Sequence, residues 1–431
     1  MSWEFGAAVA AILLGAIIGL PIGHAMLASS VFYLLLQGQD MSIAFEQMLT
    51  GLYGSYVLLA IPLFIFAADL MNVGSLSDRL LDFCRALVGR FRGGLGHVNV
   101  VSSLIFSGMS GSAIADAVGM GRIIINLMTK DGRYPGAYAG AITAASAIIG
   151  PIIPPSIPMV LYALVSDTSI GFLFLGGVGP GLVLGVMLMA MNAWQARIHD
   201  YPVEEAVPLR DLPRVTLRAV PALLMPVILL VGIYGGVTTP TEAAALAALY
   251  AFLVSTVFYR SVSLRMAYET VRRSAKSTAA VGFLIAGALA FNYVVTIEQV
   301  PNVIQGALGD TELNRITFLL LVNVILLLLG CLLEANAILL VIVPIFLPTA
   351  IALGVDPVHF GVLVVVNTMI GLATPPYGLL LFVVTSITKS PIRETIRHLL
   401  PFLAILVAGL GLITFVPEIV LWLPRLYGYK G

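Results

Sequence analysis

The chain has 431 residues, of which 59% are hydrophobic and 10% are charged; its mean hydropathy is +1.03 and its net charge is zero. A soluble domain carries about 25% charged residues, so this composition excludes a water-exposed globular protein and indicates one embedded in lipid. A bilayer core ~30 Å thick needs about 20 apolar residues per spanning helix, which leaves room for about a dozen membrane segments and no sizeable soluble domain. The neutral charge gives no indication of a nucleic-acid partner.

The beginning of the chain predicts three membrane segments. Residues 5–36 are apolar but are interrupted by the stretch 19–23, which contains two glycines and a proline and favours two short helices. Glu4 stands where a signal peptide would carry basic residues, so the first helix is expected to be retained. Residues 37–50 are polar and predict a connection, and residues 53–72 predict a span.

Residues 98–128 form an apolar run with a small, polar, glycine-rich stretch, 107–116, near its middle. Basic residues flank the run on both sides, and an excess of basic residues marks cytoplasmic connections. Because both ends are then cytoplasmic, the run predicts a re-entrant hairpin with its tip inside the membrane. Residues 137–165 predict an outward crossing that is broken at 150–156, and residues 171–194 predict the return. The flanking basic residues are Arg79, Arg85, Arg90, Arg92, Lys130 and Arg133.

The second part of the chain repeats this plan with the opposite orientation. The connection 259–276 has a basic excess and is expected to be cytoplasmic, whereas the connection 297–315 is acidic or neutral and is expected to lie outside. Residues 316–348 therefore predict a second hairpin, entered from outside and broken at 330–336. The other predicted spans are 219–236, 241–258, 278–296, 359–386 with a break at 371–376, and 400–423.

Together these segments predict an all-α polytopic membrane protein built as an inverted repeat, with residues 1–218 in one half and residues 219–431 in the other. The pairs Pro154–Pro155 and Pro375–Pro376 lie 221 residues apart. Interrupted segments in corresponding places of two halves are typical of a transporter binding site. If the repeat holds throughout, the N-terminus lies outside.

Interrupted helices inside lipid expose backbone groups that need partners. Free carbonyls at the end of one half-helix suit a small cation such as sodium, and free N–H groups at the start of the next suit a carboxylate. The alternative is that each break is an ordinary kink or a small-residue packing face. Four breaks in symmetric places favour a binding site over four unrelated kinks.

Three charged residues near the hairpins are candidates for function, because ionisable groups inside membranes are costly. Asp116 and Glu334 could bind the transported molecule, or each could cap its hairpin tip by accepting backbone N–H bonds. Arg122 lies on the return arm of the first hairpin. It could meet an anionic substrate or pair with Asp116, and the pairing is favoured.

An enzymatic alternative rests on the stretch Gly108-Met109-Ser110-Gly111, which fits the GxSG string of rhomboid intramembrane proteases. That chemistry needs a histidine on another membrane helix as the general base. The later histidines, His199, His359 and His398, fall in or next to predicted connections. The two cysteines form no CxxC motif, and the chain contains no HExxH string. It also contains no P-loop string, so the sequence encodes no ATP-driven step.

Four motifs carry a family resemblance: Ser107-Gly108-x-Ser110-Gly111-Ser112-Ala113-x-Ala115-Asp116, Gly150-Pro151-Ile152-Ile153-Pro154-Pro155-Ser156, Thr238-Thr239-Pro240-Thr241-Glu242-Ala243 and Gly371-Leu372-x-Thr374-Pro375-Pro376-x-Gly378. With them the chain resembles, over nearly its whole length, the large membrane subunit of the TRAP (tripartite ATP-independent periplasmic) transporters. The resemblance implies an elevator-type ion-transporter fold in a bacterial inner membrane and sodium-driven import of a small organic acid. It also implies two separate partners, a small four-helix membrane subunit and a periplasmic substrate-binding protein.

The resemblance also implies two sodium sites, one between each hairpin tip and the neighbouring break, with the organic acid between the two tips. The implied sodium ligands are Gly108, Ser110, Gly150, Ile153 and Pro155 at the first site, and Gly330, Gly371, Thr374 and Tyr377 at the second. The implied substrate contacts are Ser112, Asn336 and Thr374, to which Asp116 and Arg122 are added as candidates. The family often has Met where Tyr377 stands and a small residue where Arg122 stands.

The sequence leaves the transported acid open among a C4-dicarboxylate, a sialic or other sugar acid, and a keto acid. It also leaves a second mode of transport open. A stand-alone sodium/dicarboxylate or ion transporter with the same inverted repeat would need no binding protein.

Overall fold

The computed structural model describes residues 2–73, 76–204, 208, 210–309 and 314–431, and these fold almost entirely into helices. In chain order the helices are α1 (Trp3–Ile17), α2 (Ile22–Leu36), α3 (Ser42–Gly54), α4 (Ala60–Val73), α5 (Leu76–Val88), α6 (Gly94–Ser110), α7 (Ala113–Asp116), α8 (Arg122–Thr129), α9 (Gly136–Ala147), α10 (Ile157–Ser166), α11 (Ile170–Ile198), α12 (Leu212–Tyr234), α13 (Pro240–Leu253), α14 (Leu264–Ile297), α15 (Val300–Gly309), α16 (Arg315–Gly330), α17 (Ala335–Ala352), α18 (Pro357–Ala373), α19 (Leu379–Thr388), α20 (Ile392–Phe415) and α21 (Glu418–Leu426).

The all-helical, polytopic class predicted from the composition is confirmed. Within the described residues, seven helical segments are long and apolar enough to cross a membrane. They are Tyr56–Val73, Ile170–Ile198, Leu212–Tyr234, Pro240–Phe258, Leu264–Ile297, Ala335–Ala352 and Ile392–Phe415. Shorter apolar helices flank the interruptions, including α10, α16, α18 and α19.

Three predicted connections turn out to be helical. The polar stretch 37–50 contains the start of α3, which packs on α14. The arginine-rich stretch after α4 contains α5, whose Leu76, Leu80 and Cys84 recur on one buried face. The basic stretch 259–276 is largely the first part of α14. Each segment carries polar or charged residues that favour a connection in the sequence, although the segment is helical in the structure.

Two further boundaries differ from the predictions. The sequence predicts the last span at 400–423, but α20 runs from Ile392 to Phe415 and is followed by the separate helix α21. The connection 297–315 contains α15, and its acidic residues Asp310 and Glu312 lie outside the described residues. The first turn of α20 is polar, so the apolar pattern in the sequence begins later than the helix does.

Buried asparagines form hydrogen bonds between the helix that precedes each hairpin tip and the helix that precedes the neighbouring Pro-Pro break. These helix pairs are α6 with α9 and α16 with α18. Asn99 in α6 donates through Nδ2 to Thr143 Oγ1 in α9 at 2.7 Å. Asn367 in α18 donates through Nδ2 to Asn323 Oδ1 in α16 at 2.8 Å. All four side chains are buried. Hydrogen bonds of this kind hold helices together where apolar packing alone gives no preference over lipid.

Candidate functional site

The first tip is a two-residue interruption between α6 and α7. Gly111 has φ +58°, a left-handed conformation that glycine adopts without steric cost. The next residue, Ser112, is extended and caps α7, because its Oγ accepts from the Ala115 N–H at 3.4 Å. The helix axis therefore ends at the glycine and a new helix starts at the serine.

The first tip lies directly against the Pro154–Pro155 break. A Cβ added to Gly111 would lie 2.6 Å from the Pro155 carbonyl oxygen, and one added to Gly150 would lie 3.4 Å from the Ser112 carbonyl oxygen. The Oγ of Ser110 is buried beside the tip and has no hydrogen-bond partner. Carbonyl oxygens and an unpartnered hydroxyl that lie together in a buried site are hard oxygen donors, which suit a hard cation.

The second tip meets the second break where two glycines bring their backbones close together. A Cβ on Gly371, in the last turn of α18, would lie 2.6 Å from the Cα of Gly330, the last residue of α16. Thr374, which follows α18, donates through Oγ1 to the Ile370 carbonyl at 2.8 Å. The Tyr377 side chain is 64% exposed, so a role for this residue in ion binding would fall to its backbone carbonyl.

A cavity of about 400 Å³ lies between the two tips. It is lined from the first hairpin by residues 110–115, from the second by residues 334–336, and from the breaks by Pro151, Ile157, Pro158, Met369, Leu372 and Leu379. Two of the predicted substrate contacts, Ser112 and Asn336, lie in this lining. Asn336 donates through Nδ2 to Glu334 Oε1 at 2.6 Å, while its buried Oδ1 has no partner. An amide oxygen is thus free beside the cavity.

Two further residues complete the cavity from the opposite side and were missed by the sequence analysis. Asp69 in α4 and Ser277 in α14 both line it, and Asp69 Oδ2 accepts from Ser274 Oγ at 2.6 Å. The signal was available, since Asp69 is an ionisable residue inside a predicted span. None of the described residues in the lining is basic, so a bound carboxylate would rely on helix N-termini, hydroxyls and cations.

The other predicted contacts lie outside the cavity lining. Asp116 is 1% exposed, and neither of its carboxylate oxygens has a hydrogen-bond partner. The expected pairing with Arg122 is therefore wrong, and Arg122 is exposed at the start of α8. The alternative that Asp116 caps the tip is also wrong, because Ser112 performs that capping. Thr374 is also absent from the lining.

Two predicted ligands of the first sodium site lie partly against other helices. A Cβ on Gly108 would lie 2.6 Å from Pro226 Cγ in α12 and 3.8 Å from the Pro154 carbonyl oxygen. The Ile153 side chain packs on Gly181 in α11, where an added Cβ would approach its Cγ1 to 2.3 Å. Only their backbone atoms are then available to an ion at the break.

The family model described as "Tripartite ATP-independent periplasmic transporter, DctM component" matches residues 7–419. This chain belongs to that family. The large permease protein SiaM of the sialic acid TRAP transporter of Vibrio cholerae is 40% identical over 413 residues, covering 95% of this chain and 96% of the relative. The large permease protein DctM of the C4-dicarboxylate TRAP transporter of Pseudomonas aeruginosa is 40% identical over 373 residues, covering 86% and 87%.

The TRAP family assignment also fits the fold. The solved Alcanivorax borkumensis YdaH transporter superimposes with a TM-score of 0.60 at 17% identity, over 88% of each chain, and so shares the fold. The relatives are named as transporter permeases. The chain is accordingly a transport protein of the TRAP large-permease family, and the protease alternative built on Ser110 is rejected.

Proposed function

We propose that this chain imports a small organic acid by sodium-coupled elevator transport across a bacterial inner membrane. The observation that carries the proposal is the meeting of both tips, both breaks and the scaffold residue Asp69 around one cavity. The oxygen-rich contacts at the two breaks suit sodium, and the N-termini of α10 and α17 suit a carboxylate. Two bound cations would offset the charges of Glu334 and Asp69 beside the acid.

The proposed moving part comprises the two hairpins and the two broken helices. One hairpin and one broken helix lie in each half of the proposed inverted repeat, which consists of residues 1–218 and residues 219–431. Helices α4 and α14 belong to the proposed scaffold, since they contact each other and face the tips across the cavity. The scaffold would dock a small four-helix membrane subunit, and a periplasmic binding protein would deliver the acid. Sodium at both breaks would order the tips, and the loaded part would then move inward as a unit.

The proposed substrates follow from the acids named for the relatives. One relative is named for sialic acid and another for C4-dicarboxylates. These acids share a carboxylate and differ in size and in the number of hydroxyls, so the family alone does not name the acid that this chain transports. A thermal-shift screen of the cognate binding protein against sialic acids, C4-dicarboxylates and keto acids would identify the one transported.

Proteoliposomes that contain this chain, its small subunit and its binding protein should accumulate the acid only under an inward sodium gradient. The physical reason is that the acid binds between tips that sodium organises. Accumulation of radiolabelled acid measures this directly. Equal accumulation in potassium alone would refute sodium coupling, and uptake that needs no binding protein would favour the stand-alone alternative.

Replacing Thr374 with alanine should raise the sodium concentration for half-maximal uptake by about tenfold, equivalent to about 1.4 kcal/mol of binding free energy. The change removes one oxygen at the second break. Thr385→Ala is the matched control, because Thr385 makes the same bond to the carbonyl four residues earlier, at 2.8 Å, away from the break. An equal effect of both changes on sodium dependence would show that Thr374 acts only through helix stability.

A further inference from the structure

A second cavity of about 480 Å³ lies next to the one between the tips. Its lining comes from the end of α4 and the first part of α14, and Ser277 belongs to the linings of both cavities. The described lining residues are Val73, Met266, Glu269, Thr270, Arg272, Arg273, Lys276 and Ser277. We call this second cavity the vestibule.

The two cavities follow each other along the same pair of helices. On α4, Asp69 lines the first cavity and Val73 lines the vestibule. On α14, Ser277 lines both and Arg273 lines only the vestibule. Residues four apart stand on one face of a helix, one turn from each other, so the vestibule begins one turn beyond the first cavity. The excess of basic residues at this end of α14 indicates the cytoplasmic side.

The charge of the lining changes sign over this one turn. The described lining between the tips contains two acids, Asp69 and Glu334, and no base. The vestibule contains three bases, and its only described acid, Glu269, forms an ion pair with Arg265 at 3.4 Å. Asp69 itself accepts from Ser274 at 2.6 Å. Arg272, Arg273 and Lys276 are exposed and leave a net positive rim.

We propose that the vestibule is the cytoplasmic release path for the transported acid, with Arg272 and Lys276 as its anion-attracting residues. This rests on the proposed import of an organic anion. Charged clefts with low-dielectric walls focus the field and raise the local concentration of the opposite charge. An anion leaving a cavity with two acids therefore meets a favourable potential one turn away. The positive rim speeds release, while the tips determine which acid binds.

The potential of the vestibule can be measured without transport. Ser277→Cys in a Cys331→Ser background places a thiol where both cavities meet, and the native Cys84 is buried. The probes are a sulfonate-bearing and a trimethylammonium-bearing methanethiosulfonate of similar size. Arg272→Gln with Lys276→Gln should lower the ratio of anionic to cationic labelling rates by about threefold or more, and added salt should shrink the difference. A ratio unchanged by this double variant would overturn the proposal.

The matched control removes two positive charges elsewhere on the cytoplasmic side. Arg393 and Arg397 on α20 lie outside both linings. The double variant Arg393→Gln/Arg397→Gln should therefore leave the labelling ratio unchanged. An equal fall in both double variants would mean a general surface potential and would also overturn the proposal.

The transport assay separates this proposal from the proposed function. In proteoliposomes that accumulate acid, the Arg272→Gln/Lys276→Gln variant should slow initial uptake several-fold, and the charge-preserving Arg272→Lys/Lys276→Arg variant should restore it. The α20 control should transport at the wild-type rate. If the wild-type chain does not transport, the proposed function fails while the labelling ratio still reports the vestibule. If the wild-type chain transports and the double variant transports at the same rate, the proposed release path is refuted and the proposed function stands.

Discussion

Replacing Gly371 with alanine is expected to reduce sodium-driven uptake at least tenfold while the protein still inserts in the membrane. The new Cβ would lie 2.6 Å from the Cα of Gly330, and it would also approach that residue's carbonyl oxygen to 3.2 Å. These are backbone atoms, which cannot rotate aside as a flexible side chain can. Overpacking a tight contact costs about 1–3 kcal/mol, and here the displacement separates the second tip from the second break.

Gly411→Ala is the matched control for this substitution. Gly411 also lies in a helix, but a Cβ added there meets nothing within 4 Å, and alanine has the higher helix propensity by about 1 kcal/mol. The control should keep full uptake and an equal or higher melting temperature. Sodium titration of uptake and thermal unfolding in detergent provide the two measurements. Uptake by Gly371→Ala at the control level would contradict the close packing of this tip.

The interruptions were the part of the fold that the sequence predicted best, because their causes are local. Gly111 stands between Ser110 and Ser112 in a run that is otherwise apolar, and proline pairs end the helical pattern at 154–155 and 375–376. Glycine permits the left-handed conformation and proline removes a backbone donor. These effects act on the residue itself, whatever surrounds it. Helix ends therefore fall within the predicted hairpins and within the predicted broken helices.

The composition of the site was predicted less well, because it depends on which helices face each other. The helix that contains Asp69, α4, has neither a glycine-serine stretch nor a proline pair like those at the tips and breaks. The packing of α4 against α14 and the tips brings Asp69 to the cavity. Asp116 is also an acid and lies in one of the four motifs that carry the family resemblance, yet its carboxylate is buried and lies outside the lining. Spacing along one chain does not determine which side of a short helix turns toward another element.

The two tips differ in the local contacts that fix them. The first tip uses a left-handed glycine and a serine cap, whereas the second has no side-chain cap hydrogen bond at Glu334. Instead Glu334 accepts from Asn336. The first tip is thus fixed by its left-handed glycine and its serine cap, whereas at the second tip Gly330 packs closely against Gly371. The two tips should respond differently to substitution.

Replacing Gly111 with alanine is expected to abolish uptake through two separate costs. At φ +58° an L side chain is strained by about 1 kcal/mol, and the added Cβ would lie 2.6 Å from the Pro155 carbonyl oxygen. That oxygen belongs to the expected first sodium site. The substitution should therefore weaken sodium binding as well as folding, with the half-maximal sodium concentration for uptake and the melting temperature as measurements.

Gly354→Ala isolates the first of these costs. Gly354 has φ +72° at the end of α17, but a Cβ added there meets nothing within 4 Å. Its substitution should lower the melting temperature by the backbone strain alone and leave sodium dependence unchanged. Since the strain is common to both variants, any additional loss in Gly111→Ala reports the approach to Pro155. If the two variants behave alike in the sodium titration, the first tip does not hold its break in place through this carbonyl.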